Sequence, residues 1–184
     1  MRFKKTRRGI EGKLEAVEAQ VLAQCAGELL ELLGDSEAVP DDPIAAMVGL
    51  PSGEVTTPGD PALARLLPDA YADDAEAEAA RDFRRYTEAD LRAGKRAAAS
   101  VGLAQLQPLL DHGGRLVLDR DDADLWLSWL NDVRLVLGTR LEVTEDMTED
   151  DLDPDDPRAQ VLQIYGWLGW VQESLLTCLD PRVS

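Results

Sequence analysis

The sequence predicts a mainly α, single-domain helical bundle around a central helix at about residues 122–140, with a small N-terminal β-hairpin or strand element. Three observations carry that prediction. Apolar side chains recur at three- and four-residue spacing over several long stretches. Aspartate or threonine stands where several of those stretches begin, as helix caps require. One stretch, Asp119 to Leu141, is apolar around most of its circumference. A helix of that kind must be surrounded by others.

Residues 1–13, MRFKKTRRGIEGK, hold six basic side chains and one glutamate, a local balance of +5. Gly9 and Gly12 punctuate a hairpin whose apolar anchors are Phe3 and Ile10. Its basic side chains are expected to lie against the acidic body of the chain. Leu14 to Leu33 reads as the first long helix, with Val17, Val21, Cys25, Leu29 and Leu32 or Leu33 inward and Gly34 as its stop. Residues 34–60 form a Pro/Gly-rich linker, with one short helix expected over Pro43–Val48 behind an Asp42 cap. Asp60-Pro61 repeats that signal for a brief helix through Leu67, stopped by Pro68.

Asp74 to Tyr86 reads as an Ala-rich helix. Thr87 then caps a separate helix running to about Asp111, with Leu91, Ala98, Val101, Leu106 and Leu109 or Leu110 inward. Gly113-Gly114 ends it, and Arg115–Leu118 is a short strand suited to pairing with the hairpin. In the central helix, capped by Asp121 or Asp122, Trp126, Trp129, Leu130, Val133, Val136 and Leu137 share one arc. Asp124, Ser128, Asn131, Asp132 and Arg134 share the other, interrupted by Leu127 and Leu135. Residues 142–156 form an acidic loop. Its Asp151, Asp153 and Asp155 imitate the start of a calcium loop, but Asp156 replaces the turn glycine and Leu162 the bidentate glutamate. The last helix, about Pro157 to Leu179, buries Val161, Ile164, Tyr165, Leu168, Val171, Leu175 and Leu176. Trp170 projects almost opposite that stripe, with Trp167 at its edge, so it is expected either to contact a partner or to pack under the linker.

The chain of 184 residues is read as one domain, 1–184, large enough for a core without staples. Its formal net charge is −17, so the part beyond residue 13 carries −22. Such a charge argues against general binding to nucleic acid or anionic membrane. No apolar run approaches the roughly 20 residues needed to span a bilayer, and a cytoplasmic location is expected. Cys25 and Cys178 are the only cysteines and His112 the only histidine, which argues against a structural zinc site; His112, beside Gly113-Gly114 at a helix end, makes no convincing Ser/His/Asp set. No phosphate-binding glycine motif is present. A non-enzymatic protein without a cofactor or metal is therefore expected, acting by contact.

Two groups of residues are candidates for that role. Trp167, Trp170 and the Leu127, Asn131, Leu135 stripe form a candidate surface for a protein partner or a second copy of the chain. Arg84, Arg85, Arg134 and Arg140 are candidates to pair with Asp132 or Glu88 in an internal polar network that fixes helix register. A basic N-terminal hairpin touching nucleic acid is the alternative.

The segments ALARLLPDAYADD, DFRRYTEADLR with Lys95 beyond it, and WLNDVRLVLGTRL resemble an uncharacterised actinobacterial domain family, AosR-like, that is usually encoded beside the adaptor ClpS. The resemblance covers nearly the whole chain and is most specific over Trp129–Leu141. It implies an oxidative-stress regulator acting on transcription through contact with a stress sigma factor, and the gene neighbourhood offers a Clp adaptor as an alternative. The resemblance places a redox element in a CxxxC pair near the N-terminus. This chain departs there, since no cysteine precedes Cys25. Cys25 and Cys178 remain its redox candidates.

Overall fold

The computed structural model describes residues 1–34, 58–68, 77–144 and 156–180. The short helix expected over 43–48, most of the linker and most of the acidic loop with its calcium-like aspartates lie outside them. The described elements are β1 (Phe3–Thr6), β2 (Gly9–Leu14), α1 (Ala16–Leu33), α2 (Pro61–Leu66), α3 (Ala77–Leu106), a 3-10 turn (Gln107–Leu109), β3 (Gly114–Leu118), α4 (Arg120–Leu141) and α5 (Pro157–Leu179).

The expected helical fold is present, with five helices and one three-stranded antiparallel sheet among the described residues. The strand order is β1-β2-β3, with Phe3 opposite Gly12 and Gly12 opposite Leu116. Alternation sends Phe3, Ile10, Leu14, Leu116 and Leu118 into the core. Lys4 and Arg115 therefore face solvent, while Lys5, on the Phe3 side and opposite Ile10, is exposed near the end of β1. Gly113 makes the turn into β3 with φ +63, and a Cβ there would stand 2.4 Å from the Leu14 carbonyl. Only glycine fits that approach.

Helix α4 is the axis of the bundle. It touches α1, α2, α3 and α5, and its flank meets β2 and β3. Trp126 and Trp129 are fully buried, with ring centroids 5.0 Å apart, and Phe3 of the hairpin meets Trp126 edge-on at 5.9 Å. The Trp126 indole N–H donates to Gln105 Oε1 at 2.6 Å. Trp129 lies against the bare backbone of Gly102, where an added Cβ would stand 2.5 Å from its Nε1. Aromatic surface of this size is the largest single contribution a core residue can make, and truncating either tryptophan would cost about 3–5 kcal/mol.

Several sequence expectations are corrected. The cap of α4 is Asp119, whose side chain accepts from Asp122 N, rather than Asp121 or Asp122. The break expected at Thr87 is absent, and α3 runs unbroken for 30 residues. Arg84 and Arg92 both pair with Glu88 at i,i+4 spacing, so one ion-pair ladder bridges the expected boundary. No proline interrupts the helix before Pro108, which sits in the 3-10 turn.

On α1 the inward row is Ala19, Leu22, Ala26, Leu29 and Leu33, whereas Val17 is exposed and Val21 and Cys25 are half-buried. The helix carries two apolar rows. The one with alanines packs inside, because small side chains let its backbone approach its neighbours. Leu91 and Leu176 are exposed rather than inward, and Leu162, outside the predicted inward stripe, is buried.

Candidate functional site

The outer face of α5 meets the edge of β1. Gly166, Gly169, Trp170, Glu173 and Thr177 recur at three- and four-residue spacing, so they share one side of the helix. On the opposite side Leu168, Val171 and Leu175 are fully buried. Trp170 is 76% exposed, the most of any large apolar side chain described. The phase that commits those three to the core forces Trp170 outward.

Helix α5 also closes the open edge of the sheet. Phe3 N–H donates to Ser174 Oγ at 3.1 Å, and Ser174 Oγ donates onward to the Val171 carbonyl at 2.8 Å. The Lys5 backbone hydrogen-bonds the Cys178 sulfur. Unpaired strand edges invite association, and here two α5 side chains occupy the outward-facing groups of β1. Two hollows adjoin there. One of about 490 Å³ is lined by Arg2, Gly166, Gly169, Trp170 and Glu173. The other, about 370 Å³, is lined by Arg2, Lys4, Lys5 and Cys178, and both share Ser174 and Thr177.

Arg134 reinforces the groove from behind. Its guanidinium lies 4.8 Å from the Tyr165 ring, donates to Gln172 Oε1 at 2.9 Å and backs onto Gly169. A second, shallower groove of about 280 Å³ runs between α1 and α5, lined by Val17, Val21, Ile164 and Trp167 with glutamines at its rim. The valines assigned to the core by spacing thus form a surface with Trp167.

The internal polar network exists but is wired differently from the expectation. Arg84 and Glu88 pair at 2.7 Å, and Arg84 also donates to the Leu67 carbonyl at 3.0 Å, which stands at the end of α2. Asp132 pairs with Lys95 at 2.6 Å, and among the described residues no pair joins it to Arg134 or Arg140. It is 2% exposed, although spacing put it on a polar arc. Burial pushes its carboxyl up from the usual aspartate range, and the Lys95 ammonium opposes that without reversing it. The ion pair only partly replaces lost hydration, since Asp132 Oδ2 has no hydrogen-bond partner among the described residues.

Asn131, expected among apolar neighbours, is exposed, with Leu127 and Leu135 half-buried on either side. The buried polar residue of this helix is therefore its neighbour Asp132. Arg140 is exposed, and the Arg85 side chain lies outside the described set.

Two further arginines were not singled out by spacing. Arg92 donates to the Leu33 carbonyl, and Arg96 to Leu30 at 3.0 Å and to Gly34. Together they occupy the orphan carbonyls at the end of α1, which has no basic residue of its own in its last turn. The only hint was Arg92 standing four residues after Glu88.

The hairpin behaves differently. Arg2, Lys4, Lys5, Arg7 and Arg8 are exposed, and none has an ion-pair partner among the described residues. The expected packing of these cations against acidic side chains is not seen among the described residues.

Both cysteines are free thiols. Burial, with Glu28 adding to it, pushes Cys25 up to about 11 from 9.0. Burial also raises Cys178, against the pull of Lys5 and Arg2. Neither is a thiolate at neutral pH, which slows oxidation at both. His112 is exposed beyond the 3-10 turn. No group of three or more His, Cys, Asp or Glu side chains able to hold a metal occurs among the described residues. No described helix is long and apolar enough to cross a membrane.

Residues 1–179 match the family model described as a domain of unknown function, DUF2017. The chain is 34% identical over 174 residues to a Mycobacterium bovis protein named oxidative stress regulator AosR, covering 88% of this chain and 78% of that one. The same identity and coverage hold for the AosR of Mycobacterium tuberculosis. No solved structure matches significantly. The chain belongs to the DUF2017 family and is AosR-like.

Proposed function

We propose that this DUF2017 protein is a regulator of the response to oxidative stress that acts by protein contact and not by catalysis, inside the cytoplasm. The relatives' name supports the regulatory half of that reading. The observation that carries the contact half is Trp170, 76% exposed in a lined hollow on a helix whose opposite side is fully buried. A large apolar side chain held out of a well-made core is what a recognition surface needs. A component of transcription, such as a stress sigma factor, is the partner class this role favours. Raised thiols at Cys25 and Cys178 favour a signal that reaches the protein through its partner over one sensed at its own cysteines.

The test is transcript profiling after a peroxide pulse in cells with and without the gene. A blunted response in the deletion is expected, and an unchanged profile contradicts regulation. The unpaired hairpin cations favour a second reading, contact with nucleic-acid phosphate. It predicts salt-sensitive DNA association abolished by neutralising Arg2, Lys4, Lys5, Arg7 and Arg8. Deleting residues 1–8 would not be a clean test, because Phe3 belongs to the core.

A further inference from the structure

On this chain an exposed aromatic and unpaired cations occupy one face. Arg2 lines the hollow that holds Trp170, and Lys4 and Lys5 line the adjoining one. The chain has 36 carboxylates, yet none of these three cations has a carboxylate partner among the described residues. Among the described residues, Glu173 is the one acidic side chain lining either hollow. An aromatic anchor flanked by cations complements a segment that carries carboxylates beside an apolar side chain. We propose, resting on the contact reading above, that the Trp170 face of α5 and β1 docks an acidic segment of another protein bearing a leucine or aromatic anchor. The anchor packs on Trp170 over Gly166 and Gly169, and the carboxylates reach Arg2, Lys4 and Lys5.

Two other occupants fit less well. A second copy related by a twofold axis would set this basic face against itself, and like charges in register repel. A head-to-tail arrangement would avoid that but leave an open groove at each end of a growing chain. A single strand of nucleic acid needs successive stacking platforms along a basic groove. Here Trp170 is the one exposed aromatic among the described lining residues, Phe3 being buried, and Glu173 stands on its flank.

The experiment uses the full chain and a fluorescein-labelled peptide of alternating aspartate and leucine with a central phenylalanine, read by anisotropy. Saturable binding is expected, weakened by about tenfold or more in Trp170→Ala and in Arg2→Glu/Lys4→Glu/Lys5→Glu. These side chains are exposed, so both variants should keep the wild-type melting curve. A matched peptide with lysine for aspartate should not bind. Absent peptide binding, or binding unmoved in both variants, overturns the proposal. So does oligothymidylate competing for the same side chains, or a dimer that dissociates in Trp170→Ala. If the deletion leaves the peroxide response intact while the peptide still binds through Trp170, the regulatory reading fails and the docking face stands. If the response is lost and the peptide binding is absent, the reverse holds.

Discussion

Helix α3 and the β1–β2 hairpin are the two most basic stretches of an acidic chain, and they use their cations in opposite ways. On α3, Arg84, Arg92, Arg96 and Lys95 each reach across a helix boundary, to the carbonyl ends of α2 and α1 or to buried Asp132. On the hairpin, the cations stand in solvent with no ion-pair partner among the described residues, while Phe3 and Ile10 beneath them do the packing. Residue type alone does not separate the two sets. What separates them is geometry. A helix side chain leaning over a neighbouring helix end finds orphan carbonyls, whereas the outward side of a strand finds water.

That contrast predicts a descending series of stability effects, measured by urea unfolding. The largest belongs to Asp132. Removing it strands a mostly buried ammonium, so Asp132→Ala should lose about 3 kcal/mol, and Lys95→Met/Asp132→Leu should recover most of that. A single variant as stable as wild type would mean that Lys95 is solvated and α3 is no different from the hairpin.

The same carboxyl sets a pH dependence. Its folded pKa lies above the ordinary 3.8, so the native state holds the proton more tightly than the unfolded state. The associated stability is present below 3.8 and is lost as pH rises through the raised folded value. Relative to Asp132→Asn, wild type should therefore weaken as pH rises from about 3 toward neutrality. Wild type gaining stability on Asp132→Asn as pH rises would contradict the assigned direction. Next come Arg92→Ala and Arg96→Ala, each expected to cost about 1.5 kcal/mol through charged hydrogen bonds to the end of α1. Smallest is the hairpin. Replacing Arg2, Lys4 and Lys5 by serine should leave stability within about 0.5 kcal/mol of wild type.

Helix content and the central axis were legible because both follow from local periodicity. Asp60 and Asp156 were readable as helix starts, since each precedes a proline at the first helical position. The continuity of α3 was not, because a good cap at Thr87 competes with the ladder from Arg84 through Glu88 to Arg92. The phase of α1 misled because Val17, Val21 and Cys25 continue the spacing of Leu29 along a second apolar row. On the candidate surface, the outward projection of Trp170 could be counted from the helix period. Its cationic neighbours could not, as the contact of Phe3 with Ser174 joins residues 171 positions apart. Asp132 and Lys95 likewise meet only once two helices have docked.

The most direct measurement is peroxide survival of deletion cells complemented with a chain carrying Trp170→Ala together with Arg2→Ser, Lys4→Ser and Lys5→Ser. Its urea midpoint would first be shown equal to wild type. These cells should be as sensitive as the uncomplemented deletion, because the fold is intact and the contact face is gone. Full rescue would contradict it and move the working surface elsewhere on the molecule.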